Sequence, residues 1–434
     1  ESQLSLYGSY MCHNLSLRDG CYGSWEVRVT TGRINWVGKS GDVRACDASP
    51  FGADTAHKVA VWHASFPEYA PTPLVNLDAL AADLGVAGIH VKDESFRFGL
   101  NAFKVLGGSY VLGCYIAEVL GEDMENLPAD MMMGEDVRRR LGDVTFITAT
   151  DGNHGRGIAW TANRLGQHSV VYMPRGTSAE RLENIQALGS DASITDLSYD
   201  DAVRLAAQHA EERGWVLVQD TAWPGYEKIP TWIMQGYTTI ALEAVRQLGD
   251  VVPTHLFLQA GVGSMAGALT AFFADYYGAD KPIITIVEPD RADCVYRTAA
   301  ADDGTLHAVT GDMNSIMAGL CCGEPCTIAW DIMHAYADFF VSMPDWVAAQ
   351  GMRVLANPLG GDRRVVSGES GAATIGLVTE ILRNPDLALL KQELGLGAQS
   401  RILCVSTEGD TDRENYRRIV WDGAYPRPEM GVRV

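Results

Sequence analysis

No run of about 18 apolar residues occurs in this 434-residue chain, so the sequence offers no transmembrane helix. The first thirty residues hold no apolar core of the signal-peptide kind, which makes the cytoplasm the default expectation. Nine cysteines form no paired Cys-x-x-Cys motifs. Cys321, Cys322 and Cys326 lie close together but lack a matching histidine cluster, so no metal is expected. Reduced, buried thiols are the commoner state, with a bridge from Cys294 to Cys321 or Cys322 left open. Positive charge is scarce: 34 Lys and Arg against 55 Asp and Glu give a formal net charge of −21. Such a field repels phosphates, so neither nucleic acid nor an anionic membrane is an expected partner. Low-complexity tracts and internal repeats are absent as well.

What remains is a large folded protein, 47% hydrophobic and 21% charged, long enough for two domains. Short β-branched runs alternate with helical patterns. Strands are expected at 144–148, 168–173, 192–195, 216–219, 254–259, 283–287 and 402–405, with Ile89 to Glu94 as an earlier one. Residues 20–65, rich in Gly, Trp, Val and Thr, suggest short strands or extended arms. Alternation of this kind predicts an α/β fold with parallel sheet covered on both faces. Gly121 to Gly142 reads as a surface insertion.

Lys104 stands between Phe103 and the Gly107-Gly108 pair, where a helical pattern begins. An ammonium in apolar surroundings loses its hydration, which favours the neutral, nucleophilic amine. The competing reading is a lysine that snorkels out of a packed helix. Three distant segments bear on the choice. In Thr148-Ala149-Thr150-Asp151-Gly152-Asn153-His154-Gly155 a strand runs into a polar glycine turn, expected to span 151–157, that faces a ligand. In Gln259-Ala260-Gly261-Val262-Gly263-Ser264-Met265 a second strand opens into a helix, whose free amides, with the Ser264 hydroxyl, suit one phosphate. A dinucleotide would need an acidic ribose reader, and Glu288 is the nearest candidate. In Val405-Ser406-Thr407-Glu408-Gly409-Asp410 a strand ends in hydroxyls and an acid that could meet the edge of a ring. A lysine amine, a single-phosphate cradle and polar strand ends together describe a pyridoxal 5'-phosphate site.

These motifs, with Phe98-Gly99-Leu100-Asn101-Ala102-Phe103-Lys104 and Gln219-Asp220-Thr221-Ala222-Trp223, resemble the fold-type II (tryptophan synthase β-like) pyridoxal-phosphate enzymes, and among them the diaminopropionate ammonia-lyases. The Asp before Gly-Asn-His-Gly is a specific marker, since serine and threonine dehydratases usually carry Ser there. The resemblance runs from about Trp36 to the C-terminus. It implies a two-domain enzyme: a large cofactor-binding domain from 36–105 and 215–434, a small domain over 106–214, and an unmatched segment at 1–35. It implies Lys104 as the covalent anchor and base, Asn153 on the cofactor's phenolic oxygen, and Gly261, Val262, Gly263, Ser264 and Met265 around the phosphate. Ser406 or Thr407 would face the pyridine nitrogen. Asp151 and Asp220 are the candidate acids for eliminating ammonia from 2,3-diaminopropionate. The product 2-aminoacrylate would hydrolyse to pyruvate and a second ammonia. A homodimer is implied too. For Asp220 the competing role is a helix cap. Three other functions stay in view: a serine or threonine dehydratase, a β-replacement synthase, and a nucleotide-binding regulatory protein built on the 261–267 loop.

Overall fold

The computed structural model describes residues 24–29, 34–40, 46–150 and 152–428. Its strands are β1 (Ser24–Val29), β2 (Asn35–Ser40), β3 (Leu74–Asn76), β4 (Gly88–Asp93), β5 (Thr145–Ala149), β6 (His168–Met173), β7 (Asp191–Ile194), β8 (Val216–Leu217), β9 (His255–Gln259), β10 (Ile283–Pro289), β11 (Phe339–Met343) and β12 (Arg401–Ser406). They form two sheets, one in the order β1-β2-β11-β10-β9-β12-β4-β3 and one in the order β7-β6-β5-β8. The smaller sheet is parallel throughout. In the larger, β11, β10, β9, β12 and β4 pair in parallel, and antiparallel strands finish both edges. β4 and β9 are buried along their whole length. That pattern belongs to parallel strands covered by helices on both faces. No helix among the described residues is long and apolar enough to cross a membrane.

Every expected strand is present, with shifted ends. β8 stops at Leu217, so Gln219 and Asp220 leave the sheet beside the neighbouring strand ends. The Arg-rich Gly121 to Gly142 segment is less superficial than expected, because Met132 and Val137 are buried. Within 20–65, β1 and β2 make an antiparallel hairpin on the β11 edge, but Ala53–His63 is helical because Ala56, Val59, Ala60 and His63 give it one buried face. β1, within the segment expected to be unmatched, forms one edge of the larger sheet.

A sealed charge network precedes the lysine loop. Lys92, Glu94, Arg97 and Glu243 are each at most 3% exposed. Arg97 Nε and Nη2 donate to Glu94 (2.8 and 2.9 Å), and Nη1 and Nη2 donate to Glu243 (2.8 Å each). Lys92 Nζ uses its three protons on Thr72 O (2.6 Å), Glu243 Oε2 (2.6 Å) and Gln247 Oε1 (2.9 Å). Burial opposes ionisation of Glu243, but Arg97 and Lys92 outweigh it and hold the carboxyl down at about 2. Nearby, burial keeps His63 neutral, down at about 3. Its ring nitrogens bond Thr239 Oγ1 (2.8 Å) and Leu106 O (3.0 Å), bracing the start of the lysine helix.

Candidate active site

The strand ends of both sheets converge on one cleft, with an empty volume of about 570 Å³ including its mouth. Strand carboxyl ends are where open α/β sheets bind ligands. Phe103, Lys104, Asn153, Asp220, the 261–265 loop and Thr407 all line it.

Lys104 is the N-cap residue of the Val105–Leu120 helix. Its loop is held in a constrained shape. Phe98 and Asn101 take positive φ angles of 49° and 58°, rare for residues with a side chain. The loop is tied to the segment after β12: Phe103 N donates to Thr407 O (3.0 Å), Gly409 N to Asn101 O (3.0 Å), and Asn101 Nδ2 to Asp410 Oδ1 (3.1 Å). The amine is therefore delivered to a fixed point. It does not stand among apolar atoms alone, as its sequence neighbours suggested: Nζ donates to Asp220 Oδ2 at 2.8 Å, with the lysine side chain 16% exposed.

Asp220 caps no helix, since the next one starts at Lys228. Burial opposes its charge. Lys104, His154 and hydrogen bonds from Lys104 and Tyr199 outweigh burial and hold the carboxyl well below the usual range. Tyr199 OH donates to Asp220 Oδ1 at 3.3 Å, and His154 Nδ1 lies 3.9 Å from Oδ2. His154 itself is braced by Val218 O, 2.8 Å from Nε2. The helix after the polar glycine turn begins at Asn153, earlier than its apolar spacing indicated, so Asn153 projects from a helix N-terminus. Its Nδ2 donates to Glu408 Oε2 at 2.6 Å. Asp151 lies outside the described residues.

The glycine loop ends at the N-terminus of the Ser264–Tyr277 helix. Gly263 has φ +97°, and a Cβ there would stand 2.6 Å from Met333 Cε. The left-handed φ is what favours glycine there. The expected Ser264 hydroxyl contribution is redirected: Oγ donates to Asp220 O at 2.6 Å. Gly267 serves packing, because a Cβ there would lie 2.9 Å from Ala329 Cα. Of the two strand-end hydroxyls, Thr407 lines the cleft, whereas Ser406 Oγ donates to Ser367 Oγ at 2.8 Å. Glu288 cannot read a ribose. It is buried and accepts from Val295 N (3.0 Å) and Tyr296 N (2.6 Å), capping the Cys294–Ala301 helix. No disulfide joins Cys294 to Cys321 or Cys322.

Sequence reasoning assigned no role to Tyr199, Tyr237, Gln259 or Ser370 and named Glu408 only as the acid of its strand end, yet all five line the cleft. Gln259 and Glu408 stood inside motifs already singled out. The two tyrosines lie on helices with no motif around them, and only the fold brings them here.

The cleft fits pyridoxal phosphate. It offers an amine, a helix N-terminus behind a glycine turn, and polar groups for a ring. A family model described as pyridoxal-phosphate dependent enzyme matches residues 66–407. The chain belongs to the pyridoxal-phosphate-dependent enzyme family. It is 51% identical over 374 residues to the diaminopropionate ammonia-lyase of Salmonella typhimurium, covering 85% of this chain and 93% of the relative. Among solved structures it is similar to Escherichia coli diaminopropionate ammonia lyase in complex with D-serine (TM-score 0.85, 44% identity, 94% of this chain and 100% of that one). It is equally similar to the same enzyme in complex with an aminoacrylate–PLP azomethine reaction intermediate (TM-score 0.83, 45% identity, 92% and 99%). These relatives set this pyridoxal-phosphate-dependent enzyme among the diaminopropionate ammonia-lyases, with their two-domain fold-type II architecture.

Proposed function

We propose that this chain uses pyridoxal 5'-phosphate to eliminate ammonia from 2,3-diaminopropionate, giving pyruvate and two ammonia. The observation that carries the reading is the Lys104–Asp220 pair, 2.8 Å apart in the cleft beside the glycine cradle. The relatives named for this activity, at about half identity over most of the chain, support it.

When bound, the cofactor supplies an aldehyde that holds an amine and a ring that accepts an electron pair. The remaining roles fall to the protein. Backbone groups of Gly261, Val262, Gly263, Ser264 and Met265 would hold the phosphate. Asn153, steadied by Glu408, would hold the phenolic oxygen. Thr407 would meet the pyridine nitrogen, and Ser406 would support the turn through Ser367. Lys104 would hold the cofactor and, with its amine free, would take the substrate's α-proton as base. Asp220 stays ionised. It is counter-ion to Lys104 and then to the protonated β-amine, which departs as neutral ammonia rather than as an amide anion. We assign to Asp151 the α-proton of the D-enantiomer, on the face opposite Lys104. Released 2-aminoacrylate adds water and yields pyruvate and the second ammonia. A homodimer completes the proposal, on the family resemblance alone, and sedimentation reads the assembly.

Purified chain supplied with cofactor and 2,3-diaminopropionate should yield pyruvate and ammonia in a ratio of about 1:2, with far lower turnover of serine. Faster turnover of serine would move the assignment to a dehydratase.

A further inference from the structure

Tyr237 reaches the cleft because two glycines leave room. It stands on the Lys228–Leu248 helix, which crosses the Val105–Leu120 helix at Gly107 and Gly236. A Cβ on Gly236 would be 2.5 Å from Leu106 O, and one on Gly107 would be 2.6 Å from Tyr237 Cε1. The helices therefore touch backbone to backbone, and the Tyr237 ring fills the space a side chain at 107 would take. Phe103 fixes the ring from another side, with centroids 4.9 Å apart. The residue is 1% exposed and lines the cleft with Lys104, Asp220 and Ser264. Its hydroxyl has no hydrogen-bond partner among the described residues. Buried hydroxyls are nearly always paired, and an unpaired one is disfavoured. Held in a ligand cleft, it awaits a partner that arrives with the ligand. Burial, and next the charge of Asp220, keep the phenol protonated, so it is a donor.

The phosphate cradle lacks such a donor. Within 261–265 only Ser264 has a polar side chain, and its proton is committed to Asp220 O. We propose that the Tyr237 hydroxyl donates a hydrogen bond to the cofactor phosphate, supplying the side-chain donor the glycine loop lacks. This rests on reading the cleft as a pyridoxal-phosphate site.

The test uses the full chain stripped of cofactor, as wild type and as Tyr237→Phe. The stripped variant should melt at or above the wild-type temperature, because it loses only an unpaired hydroxyl. By fluorescence titration its dissociation constant for pyridoxal 5'-phosphate should rise about tenfold or more, as expected for one hydrogen bond to a charged group. Its constant for pyridoxal, which has no phosphate, should match wild type. A variant that melts below wild type, an unchanged constant for the phosphate form, or equal weakening of both ligands would overturn the proposal. Failure of the wild-type chain to bind the phosphate form would sink the cofactor reading itself, and that is measured before any substitution.

Discussion

Two lysines twelve residues apart, Lys92 and Lys104, both pair with carboxylates, and their surroundings give them opposite uses. Lys92 is fully buried and its three protons are placed on Thr72, Glu243 and Gln247. With Glu94 and Arg97 it completes a network of two cations and two anions that contains no room for a ligand. Lys104 meets Asp220 at a similar distance, yet its side chain is partly open and the pair faces a cavity. An ion pair becomes chemistry where one side of it is left for a substrate, and becomes scaffold where every bond is taken. The distance between partners does not tell the two apart; the inventory of donors and acceptors does.

Lys104→Ala should give the largest change. Turnover should fall at least about 10⁴-fold, about 5.5 kcal/mol of barrier, while the melting temperature hardly moves. A comparable fall in stability would make Lys104 scaffold after all. Arg97→Met should do the reverse. It leaves Glu94 and Glu243 buried without their main cation, which costs about 3–5 kcal/mol of stability. Turnover per folded molecule, measured at low temperature, should stay within about tenfold of wild type. A selective loss of turnover would erase the distinction between the two networks.

The acids of the cleft sharpen the contrast on a smaller scale. Asp151→Asn should lower turnover of D-diaminopropionate about tenfold more than that of the L-enantiomer, and Asp220→Asn should do the opposite. Equal losses on both enantiomers would make the acids shared binding groups. The smallest effect is expected at Glu369, which is buried at the start of the Glu369–Arg383 helix. Burial, and then the charge of Glu408, push its carboxyl up to about 7 against the partial opposition of Arg181 and Asn415. A carboxyl raised in the fold contributes stability below its unfolded value of about 4.5 and loses it as pH rises through about 7. Glu369→Gln should therefore gain on the order of 1 kcal/mol over wild type at pH 8 and nothing at pH 4. Glu243, held at about 2, has the opposite sign: its contribution is present above about 4.5 and lost as pH falls towards 2. Thermal melts across pH read both, and a variant that gains equally at both pH values would remove the charge explanation.

Much of this was legible in the sequence because local patterns carried it. Apolar runs ending in glycine turns marked β5 and β9, and the glycines of 261–267 announced a helix N-terminus, which lines the cleft. Two strands were missed where the signal was short: β3 has three residues, and β11 follows the Thr327–Tyr336 helix after only Ala337 and Asp338. The partners of Lys104 needed the fold. Asp220 is 116 residues away and reaches the amine only because β8 ends early. Tyr237 arrives through a glycine crossing whose two halves, 107 and 236, mean nothing until the helices are paired. The sealed network was invisible for the same reason, since Glu243 comes from a helix about 150 residues beyond Lys92.

The most direct test is to load the full chain with pyridoxal 5'-phosphate, reduce it with borohydride and map the modified lysine by peptide mass spectrometry. The account predicts a visible absorbance band that borohydride removes, with the phosphopyridoxyl group fixed on Lys104 and Lys92 unmodified. Labelling of any other lysine in place of Lys104, or no band and no label, would contradict it.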